Sequence, residues 1–254
     1  MRPREKLCRV LENVEGTALV AFLTAGYPKP EHFLTVLKEV AAAADVIELG
    51  VPFTDPMADG VTIQRSSQLA LQQGVTLKWI FDQLESYDFE LDPPILLMSY
   101  MNPLLAFGLE SLVSRMQDTG VSGLIVPDLP YEESDILSSK MDSQGLALVQ
   151  MVTPATPKAR LKKLCMASDG FVYAVTRTGI TGGEGSLPAD LAQYLQRVKS
   201  SAKLPVCAGF GVRDSKQVKL IGKYADGVIV GSALVEVLEQ GKSAGQFLTA
   251  LRQE

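Results

Sequence analysis

The sequence has one histidine, three cysteines and no CxxC pair, and each shortage excludes a class of site. With His32 as the sole histidine, His-based catalytic triads and His-ligated metal sites are disfavoured. His32 follows Glu31 at a predicted helix start, so we expect it on the surface. Cys8, Cys165 and Cys207 lie far apart in the chain, which argues against a disulfide framework and against a zinc site. We expect three reduced thiols in a reducing compartment.

The chain also lacks an apolar run of about 18 residues, the length that a membrane-spanning helix needs. Residues 1–6 lead into a mixed amphipathic segment and not into an apolar signal core, so we expect a cytoplasmic protein. A formal net charge of -5 provides no basic excess for binding nucleic acid or anionic lipid. The expected partner is therefore a small molecule or another protein.

Short apolar runs rich in strand-forming residues alternate with helix-patterned segments along the chain. The runs predict eight strands, at residues 18–23, 45–49, 95–99, 123–126, 147–152, 170–175, 204–208 and 227–230. The segments between them predict helices at residues 31–44, 66–73, 78–86, 110–119, 133–144, 157–166, 189–200 and 215–223. Fully apolar strands separated by helices indicate a parallel sheet, and eight repeats match a closed (β/α)8 TIM barrel. An open, doubly wound sheet is the alternative.

Residues 4–14 precede the first strand and carry Leu7, Val10, Leu11 and Val14 at helical spacing. We expect this extra N-terminal helix to close the bottom of the barrel. No charge run or flexible linker interrupts the alternation, so the sequence predicts a single α/β domain over residues 1–254. Residues just past the C-terminal strand ends face the active site of a barrel, and the longest irregular stretches follow the second and sixth strands.

Two acids lie around the end of the second predicted strand. Glu48 interrupts an otherwise apolar run, where a carboxylate costs several kcal/mol unless it is paired, protonated or facing a cavity. Asp59 lies in a loop bounded by Pro52, Pro56 and Gly60, whose prolines restrict the backbone. An acid at an apolar strand end should keep its proton, whereas a loop acid among polar groups should ionise. The pair is a candidate for general acid and base chemistry.

Glycines follow the last three predicted strands, at residues 178–186, residues 209–212 and Gly231. Glycine allows backbone N–H groups to approach an oxyanion closely. Gly231 and Ser232 open the next helix, whose N-terminus adds free donors and a positive dipole end. In (β/α)8 barrels the loops after the seventh and eighth strands often bind phosphate. The three clusters together predict a phosphate site.

Four motifs in combination resemble the tryptophan synthase α subunit family. They are LTAGYP at residues 23–28, ELGVPFTDPMADG at residues 48–60, GFG at residues 209–211 and GS at residues 231–232. The second motif is the most specific, because two acids, an aromatic and several prolines and glycines must coincide. The resemblance spans nearly the whole chain.

The resemblance implies cleavage of indole-3-glycerol phosphate to indole and glyceraldehyde 3-phosphate, a retro-aldol reaction without metal or organic cofactor. It implies Glu48 as the acid and base near indole C3 and the side-chain hydroxyl, Asp59 as the partner of the indole nitrogen, and Tyr173 as a supporting residue. Candidates for an apolar indole slot are Phe22, Ile63, Met98, Tyr100 and Val126. Candidates for holding phosphate are Thr181, Gly182, Phe210, Gly211, Gly231 and Ser232.

The resemblance also implies a pyridoxal-phosphate-dependent β subunit as partner, usually in an α2β2 complex, with pyridoxal phosphate on that subunit alone. Candidate interface residues are Pro52, Asp55, Pro56 and Asn102. Two departures from the family pattern concern loops. Val61 replaces a usual proline, and residues 181–186 form a glycine-rich stretch that is about two residues shorter than usual. We therefore predict weak lyase turnover by the isolated chain.

Two alternatives stay open at this point. A catalytically weak α subunit could act mainly as an activator of the β subunit, and the altered loop after the sixth strand is its sequence support. A different phosphate-binding barrel, such as a sugar-phosphate isomerase or a flavin enzyme, would keep the glycines but has no need for the paired acids Glu48 and Asp59.

Overall fold

The computed structural model describes residues 2–86, 93–175, 189–209 and 211–253. Within these ranges eight parallel strands form a closed barrel in the order of the sequence. The strands are β1 (Ala18–Thr24), β2 (Val46–Gly50), β3 (Ile95–Met98), β4 (Val121–Ile125), β5 (Ala147–Val152), β6 (Val172–Val175), β7 (Val206–Gly209) and β8 (Gly227–Val230). The first strand pairs with the last, Ala18 with Gly227, so the sheet has no edge. This closure confirms the predicted barrel and excludes the open sheet.

Twelve α-helices lie in the described ranges. They are α1 (Pro3–Asn13), α2 (Phe33–Ala41), α3 (Val61–Gln72), α4 (Leu77–Leu84), α5 (Met101–Phe107), α6 (Leu109–Asp118), α7 (Asp135–Ser143), α8 (Lys158–Ala167), α9 (Ala189–Ser201), α10 (Ser215–Gly222), α11 (Ser232–Glu239) and α12 (Ala244–Arg252). Short 3-10 helices at Pro30–His32 and Tyr131–Glu133 precede α2 and α7. His32 is exposed, as predicted.

Alternating side chains divide the core into two layers. Residues such as Val20, Val46 and Leu96 fill the barrel interior, whereas Leu19, Ile47 and their equivalents pack between the sheet and the helices. Both layers are apolar because a parallel strand in a barrel is covered on both faces, which explains why the strands appear as continuous apolar runs in the sequence.

Helix α1 closes the bottom of the barrel, as predicted. Leu7 and Leu11 are buried in the interior cluster beneath the strands. The backbone N–H of Arg4 donates to the carbonyl of Gly145 at 3.0 Å, and the Arg4 side chain pairs with Asp142. The helix therefore contributes apolar packing at one end of the barrel and leaves the opposite end free for a site.

Three aspartates at the bottom of the barrel make the same backbone contact. Asp45 accepts a hydrogen bond from the N–H of Leu19 at 2.7 Å, and Asp226 accepts one from Val206 at 2.7 Å. Asp169 accepts a longer one from Leu148 at 3.4 Å. Each aspartate precedes an even-numbered strand and satisfies a donor near the start of the neighbouring odd-numbered strand. These hydrogen bonds hold β1 to β2, β5 to β6 and β7 to β8 at the bottom of the barrel, away from the C-terminal strand ends.

The structure corrects the bounds of two segments near the site. Helix α3 begins at Val61, five residues before the predicted start, because Ile63 packs against Phe22 and outweighs the weak helix propensity of β-branched residues. Helix α5 falls between the predicted third strand and the helix predicted at residues 110–119, where no helix is predicted. Asp128 Oδ1 accepts a hydrogen bond from the first helical N–H, at Met101 (2.9 Å), and Pro103 lies in the first turn, where proline is tolerated.

The three cysteines are free, as the sequence indicates, and Cys165 and Cys207 are buried. No helix in the described part of the chain has the length and apolar character needed to span a membrane. The same ranges contain no cluster of three or more His, Cys, Asp or Glu side chains able to hold a metal ion.

Candidate active site

The C-terminal end of the barrel brings four predicted site residues to one interior surface. Register pairs Phe22 of β1 with Glu48 of β2, and Gly50 of β2 with Met98 of β3. Tyr173 of β6 belongs to the same interior layer. Because alternate residues of a strand share a face, these positions point into the barrel and not towards the helices. The strands thus place an acid, a phenol and apolar groups around one space.

Glu48 is buried without a partner. Its exposed fraction is 0%, and neither side-chain oxygen has a hydrogen-bond partner within the described ranges. Burial, followed by repulsion from Asp59, raises the pKa of the Glu48 carboxyl from 4.5 to about 8. At neutral pH the side chain is therefore mostly protonated, and its proton is available to a group that enters the space.

The loop between β2 and α3 holds Asp59 through backbone contacts at both of its ends. At the start of the loop, the N–H of Phe53 donates to Ser67 Oγ at 2.8 Å, and this hydroxyl donates to the Phe53 carbonyl at 3.1 Å. The Asp59 N–H donates to the Pro56 carbonyl at 3.1 Å, and the Gln64 amide donates to the Asp59 carbonyl at 2.9 Å. The first turns of α3 therefore fix the acid's backbone.

Tyr100 orients the Asp59 carboxyl. Its hydroxyl donates to Asp59 Oδ2 at 3.0 Å and accepts the N–H of Ala58 at 2.9 Å. The Tyr100 ring lies 5.3 Å from that of Phe53, centroid to centroid. The sequence places Tyr100 among apolar slot candidates, but its hydroxyl contacts give it a polar role. Nothing in the local sequence indicates this contact, because the loop and the tyrosine meet only in the folded barrel.

The environment of Asp59 differs from the polar, ionising one that the sequence predicts. Burial raises the pKa of the Asp59 carboxyl, while the hydrogen bond from Tyr100 lowers it. Glu48 has no such donor within the described ranges. Burial acts on both acids, but Tyr100 favours the ionised form only at Asp59. The pKa of the Asp59 carboxyl remains raised overall, but the Tyr100 hydrogen bond favours its ionised form, whereas no donor in the described ranges opposes the protonated form of Glu48.

Tyr173 is partly buried beside the two acids. Burial, followed by the charges of Glu48 and Asp59, raises the pKa of its phenol well above 10, so it stays protonated. Gly209 of β7 leaves room for the ring, because a Cβ at that position would lie 3.1 Å from Tyr173 Cε1. Tyr173 is thus placed to contact a molecule held between the acids.

The apolar slot candidates separate into two groups. Phe22, Ile63 and Met98 pack together, along with Tyr27 and Val235. Gly50 admits the Phe22 ring, since a Cβ there would approach Cζ to 2.6 Å. Val126, in contrast, belongs to the layer between sheet and helices.

The phosphate candidates lie at the ends of the last strands. Gly211, after β7, has a φ of +64°, which favours glycine. Gly231 follows β8, and Ser232 is the first residue of α11, so free N–H groups at that helix start face the same end of the barrel. Thr181, Gly182 and Phe210 lie outside the described residues.

The interface candidates lie on the loop after β2 and on α5. Pro52 is buried, Pro56 is partly buried, and Asp55 and Asn102 are exposed. Large apolar side chains on these segments are also exposed, namely Met57 at 80% and Leu105 at 51%. Such side chains beside the loop that carries Asp59 are typical of a surface that a partner covers.

Comparison with known proteins identifies the family of the chain. The family model for the tryptophan synthase alpha chain matches residues 9–253. The tryptophan synthase alpha chain of Bacillus cereus (strain AH820) is 45% identical over 215 residues, covering 84% of this chain and 83% of that protein.

Solved structures share the fold over nearly the full length. Tryptophan synthase subunit alpha from Legionella pneumophila superposes with a TM-score of 0.88 at 29% identity, covering 100% of this chain and 98% of that one. A chain of the tryptophan synthase α2β2 complex from Pyrococcus furiosus gives a TM-score of 0.85 at 35% identity, covering 93% of this chain and 98% of that one. The chain therefore belongs to the tryptophan synthase alpha chain family.

Proposed function

We propose that the chain cleaves indole-3-glycerol phosphate to indole and glyceraldehyde 3-phosphate, with Glu48 and Asp59 as the two proton-transferring groups. The observation that carries the proposal is the fully buried, unpartnered carboxyl of Glu48, whose pKa of about 8 keeps a proton beside a second acid. A structural acid in this position would be expected to have a hydrogen-bond partner.

In the first step Glu48 donates its proton to indole C3, and the carboxylate of Asp59 takes the proton from the indole nitrogen. The lone pair on nitrogen forms a C=N bond as the C2=C3 electrons form the new C3–H bond. The product is an indolenine, whose C=N bond can accept the electrons of the bond to be broken. This step requires a protonated Glu48 and an ionised Asp59 at its start.

In the second step the Glu48 carboxylate removes the proton from the hydroxyl on the carbon attached to C3. That oxygen forms the aldehyde, the carbon–carbon bond breaks, and its electron pair restores the C2=C3 bond. The nitrogen regains its proton from Asp59, so both acids return to their initial states. The Tyr100 hydroxyl holds Asp59 in place throughout.

The remaining site residues bind and orient the substrate. Phe22, Ile63 and Met98 supply apolar surface for the indole, and Tyr173 contacts it from the opposite strands. Gly211, Gly231 and Ser232 hold the phosphate through backbone donors and the N-terminus of α11. Thr181, Gly182 and Phe210 complete this end as sequence predictions. Val126 packs in the outer layer and is not assigned to the indole slot.

We further propose that a β subunit covers the loop after β2 and α5, in an α2β2 complex, and receives the indole. Exposed Met57 and Leu105 beside Asp55 and Asn102 support this surface, with Pro52 and Pro56 stiffening the loop.

No cofactor is assigned to this chain, and pyridoxal phosphate belongs to the partner. Residues 1–254 then act as one domain, because a single closed barrel accounts for the described ranges.

An indole-release assay on indole-3-glycerol phosphate, with and without the purified β subunit, tests the proposal. We expect slow release by the isolated chain and faster release in the complex. Absence of release in both conditions, with activation of the β subunit retained, would identify a purely activating subunit instead. Robust release without the β subunit would refute the weak turnover that the altered loop predicts. A bound flavin in the purified chain would contradict the proposed reaction.

A further inference from the structure

One carboxylate joins three segments at the C-terminal end of the barrel. Glu236 lies on α11, and the Arg213 guanidinium donates to both of its oxygens, at 2.7 Å through Nη1 and at 3.0 Å through Nη2. The Thr62 hydroxyl donates to Glu236 Oε1 at 3.5 Å. Arg213 comes from the segment after β7 and Thr62 from the first turn of α3. The Glu236 side chain is thus shared by the segments that follow β2, β7 and β8.

Each joined segment carries a part of the proposed site. Arg213 lies two residues after Gly211, and α11 begins at Ser232, so both belong to the phosphate end. Thr62 lies three residues after Asp59. The Asp59 carbonyl in turn accepts a hydrogen bond from Gln64 in the same helix (2.9 Å). The path from the phosphate end to the Asp59 backbone therefore consists of side-chain contacts and one helical turn.

The pair between Arg213 and Glu236 is a two-point contact with little freedom to rotate. Glu236 is 28% exposed in its side chain, and its pKa is lowered, mainly by the Arg213 hydrogen bonds, so it remains ionised at neutral pH. Val61, at 77% exposure, contributes little packing at the start of α3. The Thr62 hydroxyl therefore adds a polar contact between that helix start and α11, next to the apolar packing of Ile63 with the cluster that contains Val235 of α11.

A second ion pair on the same two helices provides a comparison. Arg65 contacts Glu239 at 2.6 Å, one helical turn from Thr62 and Glu236 respectively. This pair also fastens α3 to α11, but neither of its members contacts the segment after β7 in the described ranges. Loss of the Arg65 pair would loosen the two helices and leave the contact between Arg213 and Glu236 in place.

We propose that Glu236 is a positioning residue that links occupation of the phosphate end to the placement of Asp59. The inference rests on the proposed function. Phosphate held by the segment after β7 and by the start of α11 restricts both, and the shared carboxylate then restricts Thr62 and the helix start behind Asp59. Binding energy from the phosphate thereby helps to place the Asp59 carboxyl at the indole nitrogen, a reacting atom that is remote from the phosphate.

The test divides the substrate into two pieces. Indole-3-glycerol, which lacks the phosphate, is supplied with and without inorganic phosphate, and indole release is measured in the complex with the β subunit. Phosphate should accelerate cleavage by the wild-type chain by about tenfold or more, the usual range of coupling between sites. In Thr62→Val and Glu236→Gln, phosphate should still inhibit cleavage of the intact substrate competitively, but its acceleration of the truncated substrate should fall to about twofold or less.

Arg65→Gln is the matched control, and its phosphate acceleration should remain close to that of the wild type. Urea denaturation of each variant checks that the fold is retained. Acceleration unchanged in Thr62→Val and Glu236→Gln would overturn the inference, as would no acceleration in the wild type. An equal loss of phosphate acceleration in Arg65→Gln would show that any loosening of the contact between α3 and α11 has this effect. That result would also overturn the inference. Failure of the wild type to cleave the intact substrate would instead reject the proposed function.

Discussion

Replacing Glu48 by glutamine should make the chain's stability less dependent on pH. The Glu48 pKa is about 8 in the folded protein and 4.5 when the carboxyl is in water. Between these values the folded state holds a proton that the unfolded chain has released. Folding stability therefore falls as pH rises from 4.5 to 8, and the contribution levels off above the folded pKa.

The magnitude follows from linkage, at about 1.4 kcal/mol per pH unit where the unfolded carboxyl is ionised and the folded one is not. From about pH 5.5 to about pH 8, the wild-type chain should lose about 3 kcal/mol that Glu48→Gln does not lose. The uncharged amide brings its own cost of burial, but that cost is the same at both pH values. The variant therefore becomes more stable relative to the wild type as pH rises.

Urea denaturation at the two pH values measures the difference in free energy of unfolding between the wild type and Glu48→Gln. The dependence of that free energy on urea concentration should be the same in each measurement. Glu15→Gln is the control, because Glu15 is exposed in a bend and its carboxyl stays in water on folding. A stability difference between wild type and Glu48→Gln that stays constant within about 0.5 kcal/mol across this range would refute the reasoning. Glu48 would then be ionised in the folded protein, and its role as proton donor would fail.

Two further predictions concern the groups around the acids. Tyr100→Phe removes a hydrogen bond to a charged group worth about 1.5–3 kcal/mol, so kcat/KM should fall by about tenfold to a hundredfold. Because that bond lowers the Asp59 pKa, the acid limb of the pH profile should move to higher pH, and an unmoved limb would contradict this. Gly50→Ala would place a Cβ 2.6 Å from Phe22 Cζ, so stability should fall by about 1–3 kcal/mol and KM should rise. An unchanged KM would show that the Phe22 ring does not line the substrate space.

The barrel could be predicted because each strand carries its own signal. Runs such as those around Val20 and Val228 are apolar throughout and flanked by helical patterns, so each can be recognised without knowledge of its neighbours. Glu48 could be recognised for the same reason, as a polar residue in a strand whose pattern demands burial. Its protonation state followed from that burial.

The parts that sequence reasoning missed depend on contacts between distant segments. Helix α5 begins where Asp128, 27 residues further along the chain, satisfies the N–H of Met101. The contact of Tyr100 with Asp59 joins residues 41 positions apart, and the Thr62 contact with Glu236 spans 174. None of these pairs leaves a periodic pattern in the sequence. The burial of Asp59 was missed because proline and glycine neighbours resemble an exposed turn.

Indole release by Glu48→Gln in complex with the β subunit tests the central claim most directly. Glutamine fills the same volume but can neither give a proton to C3 nor take one from the hydroxyl. We predict that indole release from indole-3-glycerol phosphate at neutral pH falls by at least about a thousandfold, while activation of the β subunit remains. Indole release within about tenfold of the wild-type rate would contradict the account, because the buried carboxyl would then have no part in the chemistry.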